Sequence, residues 1–230
     1  MFTEEFRRFR EKQEAIYASF IEGANEARVS GFRQDPRVAS SSHAYVIGLR
    51  FASLAKSVEL LSRNMSERLP CLVYPASAAH VTIADRQMTD GDDVSDEINT
   101  FACRIAEWVA NEGEGARLAF EISSGELLWN QHSVILACRP QREESIALRR
   151  VLKGEPSPEA LKLGWGAHMT VARFVADTGV EEVKTLTRLI AESTIDRRSF
   201  FPDAIEIFEI RLSAREKESH IKSSVRFVLK

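Results

Sequence analysis

The chain has 230 residues, 44% of them apolar and 28% charged, which suffices for one large core or two small coupled ones. These proportions exclude a collagen-like, coiled-coil or wholly disordered polypeptide. A formal charge of −3, from 31 Lys and Arg against 34 Asp and Glu, gives no reason to expect a long polyanionic partner, so small or short substrates fit better than extended nucleic acid. Cys71, Cys103 and Cys138 are odd in number and widely spaced, which suits neither a disulfide framework nor a CxxC pair and points to a reducing compartment. The first twelve residues are charged and lack an apolar signal core, and no stretch approaches the length of a membrane span. A cytoplasmic protein with no membrane partner is expected.

Phe6, Phe9, Ile16, Tyr17, Phe20 and Ile21, with Phe2 ahead of them, recur at helical spacing and predict an amphipathic helix over 3–26. Ser30 to Ser42, with Gly31, Pro36 and three consecutive serines, reads as a connector. Residues 1–42 thus form an amino-terminal helix and connector, expected to pack on the body of the protein, which occupies 43–230. Arg7, Arg8, Arg10, Arg28, Arg33 and Arg37 could give that segment a phosphate-facing side, but the glutamates between them favour a solvated face. The body alternates strands and helices: strand 44–51, helix 52–69, strands 71–74 and 79–84, then helix 94–111 with Asp92 and Asp93 at its amino end. Strands are expected over 117–123, 126–129 and 133–138, a helix over 142–152, a strand over 168–174 and a helix over 180–193. Two β-rich runs, 204–213 and 221–229, close the chain.

An internal repeat dominates this organisation. Residues 79–84 read Ala-His-Val-Thr-Ile-Ala and residues 167–172 read Ala-His-Met-Thr-Val-Ala, each followed by an acidic loop and a helix. The helices echo one another too, since 100–107 and 185–192 agree at Thr, Ile, Ala and Glu. An offset of 88 residues at the strand and 85 at the helix is too long for a solenoid and suits two pseudo-symmetric halves.

Side chains two apart on a strand share a face, so His80 projects with Thr82 and His168 with Thr170. If the halves face each other, two imidazoles and two hydroxyls converge on one cleft. Imidazole titrates near neutrality, so one neutral ring can act as general base while a protonated one acts as general acid. Hydrolysis of a phosphodiester needs that pair, with threonine hydroxyls binding the non-bridging phosphate oxygens. A single His-x-Thr triplet carries little weight, whereas two with the same flanking alanines inside a wider repeat do. The competing reading, a duplicated pair of buried histidines without chemistry, would need a partner for every ring nitrogen.

The paired motifs His80-Val81-Thr82-Ile83 and His168-Met169-Thr170-Val171 resemble the 2H phosphoesterase superfamily, including the LigT-like RNA 2',3'-cyclic phosphodiesterases. The resemblance spans about residues 43–230. It implies an α+β, bilobal pseudo-twofold fold with an antiparallel sheet in each lobe lining a central cleft and helices outside. It also implies metal-independent action on nucleotide phosphodiesters with no cofactor. In the LigT-like branch the second motif often runs on to a phosphate-contacting arginine, and Met169-Thr170-Val171-Ala172-Arg173 is similar there. Arg173 has the opposite parity to His168 and reaches the cleft only through a twist or bulge, the alternative being a surface ion pair. Asp85 holds the equivalent place after the first motif, so cationic help is one-sided.

Tyr74, Trp129 and Phe174 lie near strand ends and could stack on a base, with core packing the competing role. His43, His132 and His220 have no metal-ligand spacing, so no metal site is expected. Gly113-Glu114-Gly115 and Gly164-Trp165-Gly166 lack a dinucleotide fingerprint and no Walker lysine is present; the second more plainly shapes the turn into His168. The expected activity is hydrolysis of a 2',3'-cyclic phosphate on a nucleotide or short RNA end by His80 and His168. Thr82, Thr170 and Arg173 would bind phosphate. The alternatives are cleavage or ligation of 2',5'-linked oligonucleotides, or a non-catalytic nucleotide-binding module of the same fold.

Overall fold

A computed structural model of the protein describes residues 3–89, 91–154, 161–164, 166–193, 195 and 198–229. Phe2, at the start of the expected first helix, and Trp165, in the turn before His168, lie outside them. Helix α1 (Glu4–Ser30) opens with Thr3 as its cap, whose hydroxyl accepts from the Phe6 amide, and with Glu4 and Glu5 at the positive end of the helix dipole. It runs four residues beyond the predicted end because the small buried residues Ala24 and Ala27 continue its packed stripe where the large side chains stop. Gly31 ends it at φ 81°, and a Cβ there would stand 2.1 Å from the Thr178 carbonyl oxygen, so no other residue fits. The expected connector contains a short helix, α2 (Pro36–Ala39), which Asp35 caps by accepting from the Arg37 amide at 2.8 Å.

The other helices are α3 (Ala52–Ser66), α4 (Ser95–Glu112), α5 (Gly115–Ala119), α6 (Ala147–Leu152, after a 3₁₀ turn at Glu143–Ile146) and α7 (Val180–Glu192). The strands are β1 (His43–Arg50), β2 (Cys71–Val73), β3 (Val81–Met88), β4 (Ile122–Trp129) and β5 (Ser133–Pro140), then β6 (Lys162–Leu163), β7 (His168–Phe174), β8 (Ser199–Phe200), β9 (Ala204–Arg211) and β10 (His220–Val228). Several boundaries differ from the pattern reading. The strand expected over 117–123 starts only at Ile122, because Ala116 and Ala119 bury the face of a short helix, and it continues to absorb 126–129. β3 runs on through the polar residues Asp85, Arg86 and Gln87, which pair with β1 despite their charge. Asp92 and Asp93 do not cap α4 itself; they accept from the Thr89 and Ser95 amides and shape the turn before it. β6 and β8, of two residues each, are too short to leave a periodic signal.

The described strands form two five-stranded antiparallel sheets, ordered β10-β9-β1-β3-β6 and β2-β7-β5-β4-β8. Read from opposite ends they correspond position by position, with β3 and β7, the two motif strands, in equivalent places next to an edge. Those edges are exchanged. β2 leads into β3 along the chain yet pairs with β7, while β6 leads into β7 yet pairs with β3. The exchange ties the sheets together and brings β3 and β7 into contact.

Phe101 and Ile105 of α4, Leu54 and Val58 of α3, and Val183 and Leu186 of α7 share one continuous core with Tyr45, Ile47, Leu136 and Val171 of the strands. Burial of this apolar surface is the main favourable term in folding. The architecture is α+β, as expected. No helix among the described residues is long and apolar enough to cross a membrane.

Candidate active site

Both motif strands carry the same irregularity. β1 opposes Ile47 to Ala84 and then Gly48 to Thr82, leaving Ile83 as an extra residue. β5 opposes Val134 to Ala172 and then Ile135 to Thr170, leaving Val171 extra. A one-residue bulge reverses the alternation of side chains beyond it. Residues 81–85 and 169–173 accordingly share the sequence buried, half-buried, buried, buried, half-buried. Thr82 and Asp85 therefore share a face in one strand, and Thr170 and Arg173 in the other. The bulge that Arg173 required is present, and the repeat extends to the bulge itself.

These faces meet across a cavity of about 190 Å³ lined by His80, Thr82 and Asp85 from one sheet and His168, Thr170 and Arg173 from the other. The four motif side chains and Arg173 are thus brought together. The Nδ1 of His80 lies 2.7 Å from the Ala78 carbonyl oxygen, which can only accept, so that nitrogen carries the proton and Nε2 keeps a lone pair. Phe208 meets the His80 ring edge to face at 4.9 Å, and behind it the Arg50 guanidinium lies 4.2 Å from the Phe208 centroid. Arg50 also donates to the Ser77 and Ala79 carbonyls and pairs with Glu206, bracing the turn that presents His80. The Nδ1 of His168 is buried with no hydrogen-bond partner of good geometry, although the Gly166 backbone is close enough to favour the protonated ring slightly.

Both rings are held neutral. Burial, then the positive charge of Arg50, lowers the His80 pKa to about 3. Burial, then Arg173 and Arg37, lowers that of His168 to about 4. Desolvation and nearby guanidiniums act in the same direction on both rings, so neither is singled out as the protonated acid.

Arg173 is not on a surface ion pair. Its side chain is 14% exposed, with Nη1 2.5 Å from Asp35 Oδ2 and Nε donating to the Tyr74 hydroxyl at 2.8 Å. Burial works against its charge, but Tyr74 and Asp35 more than compensate and raise its pKa. Tyr74 lines the cavity and its hydroxyl accepts from Arg173, so it holds the guanidinium in place. Trp129 and Phe174 do not line the cavity. Phe174 is fully buried and stacks on Phe32 at 3.8 Å, and Trp129 packs edge-on against the same ring, so both take the core role.

The amino-terminal segment contributes more than packing. Ile16 and Arg37 line the cavity, and Asp35 holds Arg173. Tyr17 places its hydroxyl 2.5 Å from the Ala167 carbonyl and 2.8 Å from that of Cys138, fixing the approach to His168 from α1. Sequence reading favoured a solvated face for Arg37 and passed over Asp35, although Asp35-Pro36 is a legible helix start. Among the described residues no group of three His, Cys, Asp or Glu side chains is placed to hold a metal ion.

No family model and no curated protein matches the chain. Among solved structures, TT0787 of Thermus thermophilus is similar over 81% of this chain and 97% of that one, at 12% identity and a TM-score of 0.49.

Proposed function

We propose that this chain is a phosphodiesterase of the 2H phosphoesterase type that opens the 2',3'-cyclic phosphate of nucleotides or short RNA ends without a metal ion. The convergence of His80, Thr82, His168 and Thr170 on one cavity carries this reading. Water adds to phosphorus as the bond to one ribose oxygen breaks. One ring takes a proton from the water and the other returns one to the departing oxygen, so the pair keeps its total. The threonine hydroxyls donate to the non-bridging oxygens, and Arg173 offsets their charge. The acid must be protonated before the bond breaks, and the diester supplies the means. Its negative charge between the rings opposes the guanidiniums and raises both ring pKa values, so substrate enters with a proton.

The test is to incubate the full chain in EDTA with the four nucleoside 2',3'-cyclic phosphates and a 2',5'-linked dinucleotide, and to identify products. Ring opening to a monophosphate in chelator is expected. Cleavage of the 2',5' linkage alone would redirect the assignment. An absolute need for a divalent cation, or binding of nucleoside monophosphates without turnover of any diester, would overturn it.

A further inference from the structure

Beyond Thr82 the cavity changes character. Across the sheet, Val46 stands opposite Asp85 and Ala44 opposite Gln87, while Ile210 continues the row from Ala44 on β9. All five line the cavity, so an apolar floor of Val46, Ala44 and Ile210 is edged by Asp85 and Gln87. Because Ile83 is the extra residue of the bulge, β3 advances only two partner positions from Thr82 to Asp85, so at about 3.3 Å per residue this edge begins about 7 Å from the phosphate position at Thr82 and reaches about 13 Å at Gln87, a span that brackets the separation between the phosphate and the far edge of the base in a nucleotide. A planar, apolar-faced group joined to a phosphate matches that shape.

The polar edge has a defined donor and acceptor order. Ser42 donates to Gln87 Oε1 at 2.8 Å, which makes Nε2 the donor end of the amide; one of its N–H groups donates to Asp85 Oδ2 at 3.4 Å and the second is the donor the edge offers. The Asp85 carboxylate, opposite Lys162 in register, makes no ion pair among the described residues and offers acceptors only. One donor followed by two acceptors complements an edge that presents one acceptor followed by two donors. Among the common bases only guanine does so, through O6, N1–H and the N2 amine. Adenine and cytosine place an acceptor beside their amine, and uracil flanks its single donor with two acceptors.

We infer that Asp85 and Gln87 form a base-reading subsite selective for guanine, with the base lying on Val46, Ala44 and Ile210 and its phosphate at the two histidines. The bulge at Ile83 creates the subsite by turning Asp85 to the cavity face. At the equivalent bulge the other strand presents Arg173, so one duplicated position binds phosphate in one half and reads the base in the other. This inference rests on the phosphodiesterase reading for the placement of phosphate.

The experiment compares kcat/KM for guanosine, inosine, adenosine, cytidine and uridine 2',3'-cyclic phosphates in the native protein and in Asp85→Asn. A carboxylate bonded to two base donors predicts about 10- to 100-fold preference for guanosine over adenosine, with inosine, which lacks the N2 amine, between them. Asp85→Asn replaces an acceptor by a donor and should shrink the guanosine to adenosine ratio to about threefold or less. Because each ratio is taken within one protein, a change in folded fraction cancels. Equal turnover of guanosine and adenosine substrates, or a ratio preserved in Asp85→Asn, overturns the inference. If no diester is turned over, the hydrolytic reading fails separately. Calorimetric titration with guanosine and adenosine 3'-monophosphates then decides the subsite, equal affinities overturning it and a guanosine preference lost in Asp85→Asn supporting it.

Discussion

Asp35 and Arg173 form a buried ion pair, 2.5 Å apart and with side chains 4% and 14% exposed, that joins the amino-terminal connector to a motif strand. Asp35 takes one guanidinium nitrogen and the Tyr74 hydroxyl another, so the remaining N–H groups are held in a fixed plane at the cavity. The repeat alone does not complete the cavity; a residue from outside it sets the geometry of the Arg173 guanidinium that lines it.

Asp35→Ala should therefore cost both stability and activity. Removing one partner of a buried pair leaves an uncompensated charge, a loss of about 3–5 kcal/mol. Denaturant titration should recover most of that loss in the double variant Asp35→Ala with Arg173→Met, whereas kcat/KM should stay depressed because the phosphate has lost its cation.

His80→Ala and His168→Ala are each expected to lower turnover by about 10²- to 10⁴-fold, the usual contribution of a positioned proton-transfer group. Stability should change far less, since His80→Ala removes a single neutral hydrogen bond to Ala78, worth about 1 kcal/mol. Near-native rates in both variants, with circular dichroism showing an intact fold, would remove the two-histidine mechanism.

Gly48 lies at the first bulge, and a Cβ there would stand 3.2 Å from His80 Cδ2 and 3.3 Å from Phe208 Cε1. Gly48→Ala must push the ring or the strand by a few tenths of an ångström. We expect a stability cost of about 1–3 kcal/mol and a fall in kcat/KM of about 10-fold, since small misplacements of reacting groups are costly. Thermal melts and steady-state rates measured together separate the two effects.

The depressed pKa values of His80 and His168, about 3 and about 4, have a stability consequence of definite sign. An unfolded histidine titrates near 6.5, so between about pH 4 and 6.5 the unfolded chain binds more protons than the native one. The contribution is fully present above that window and is lost as pH falls through it, at about 1 kcal/mol per ring per pH unit. Denaturant midpoints at pH 7, 6 and 5 should fall accordingly, and His168→Gln should flatten the trend.

Anion binding reverses that shift. Inorganic sulfate, which does not titrate in this range, should raise the ring pKa values when bound in the cavity and bind with proton uptake, more tightly at pH 5.5 than at pH 8. Calorimetry in buffers of different ionisation enthalpy reads the proton directly, and zero uptake would show that the anion sits away from His80 and His168.

The elements with strong periodic signals were legible at once: α1 from its aromatic stripe, α4 and α7 from their echo of each other, and β7 from its alternating residues. Short pieces were not. β6 and β8 have two residues each, and α5 forms where a strand was expected because Ala116, Arg117, Leu118 and Ala119 are good helix formers whose two alanines are buried.

What the amino-acid sequence determined by itself was the duplication and, through strand parity, the pairing of His80 with Thr82 and of His168 with Thr170, because residue type and spacing are local properties. Tertiary structure alone decided that the edge strands are exchanged, that a bulge turns Arg173 and Asp85 to the cavity, and that Asp35 and Arg37 arrive from the connector. It also decided that burial and nearby guanidiniums lower the pKa of both imidazoles. Register, long-range ion pairing and desolvation depend on which segments meet in space, and the order of residues along one strand does not carry that information.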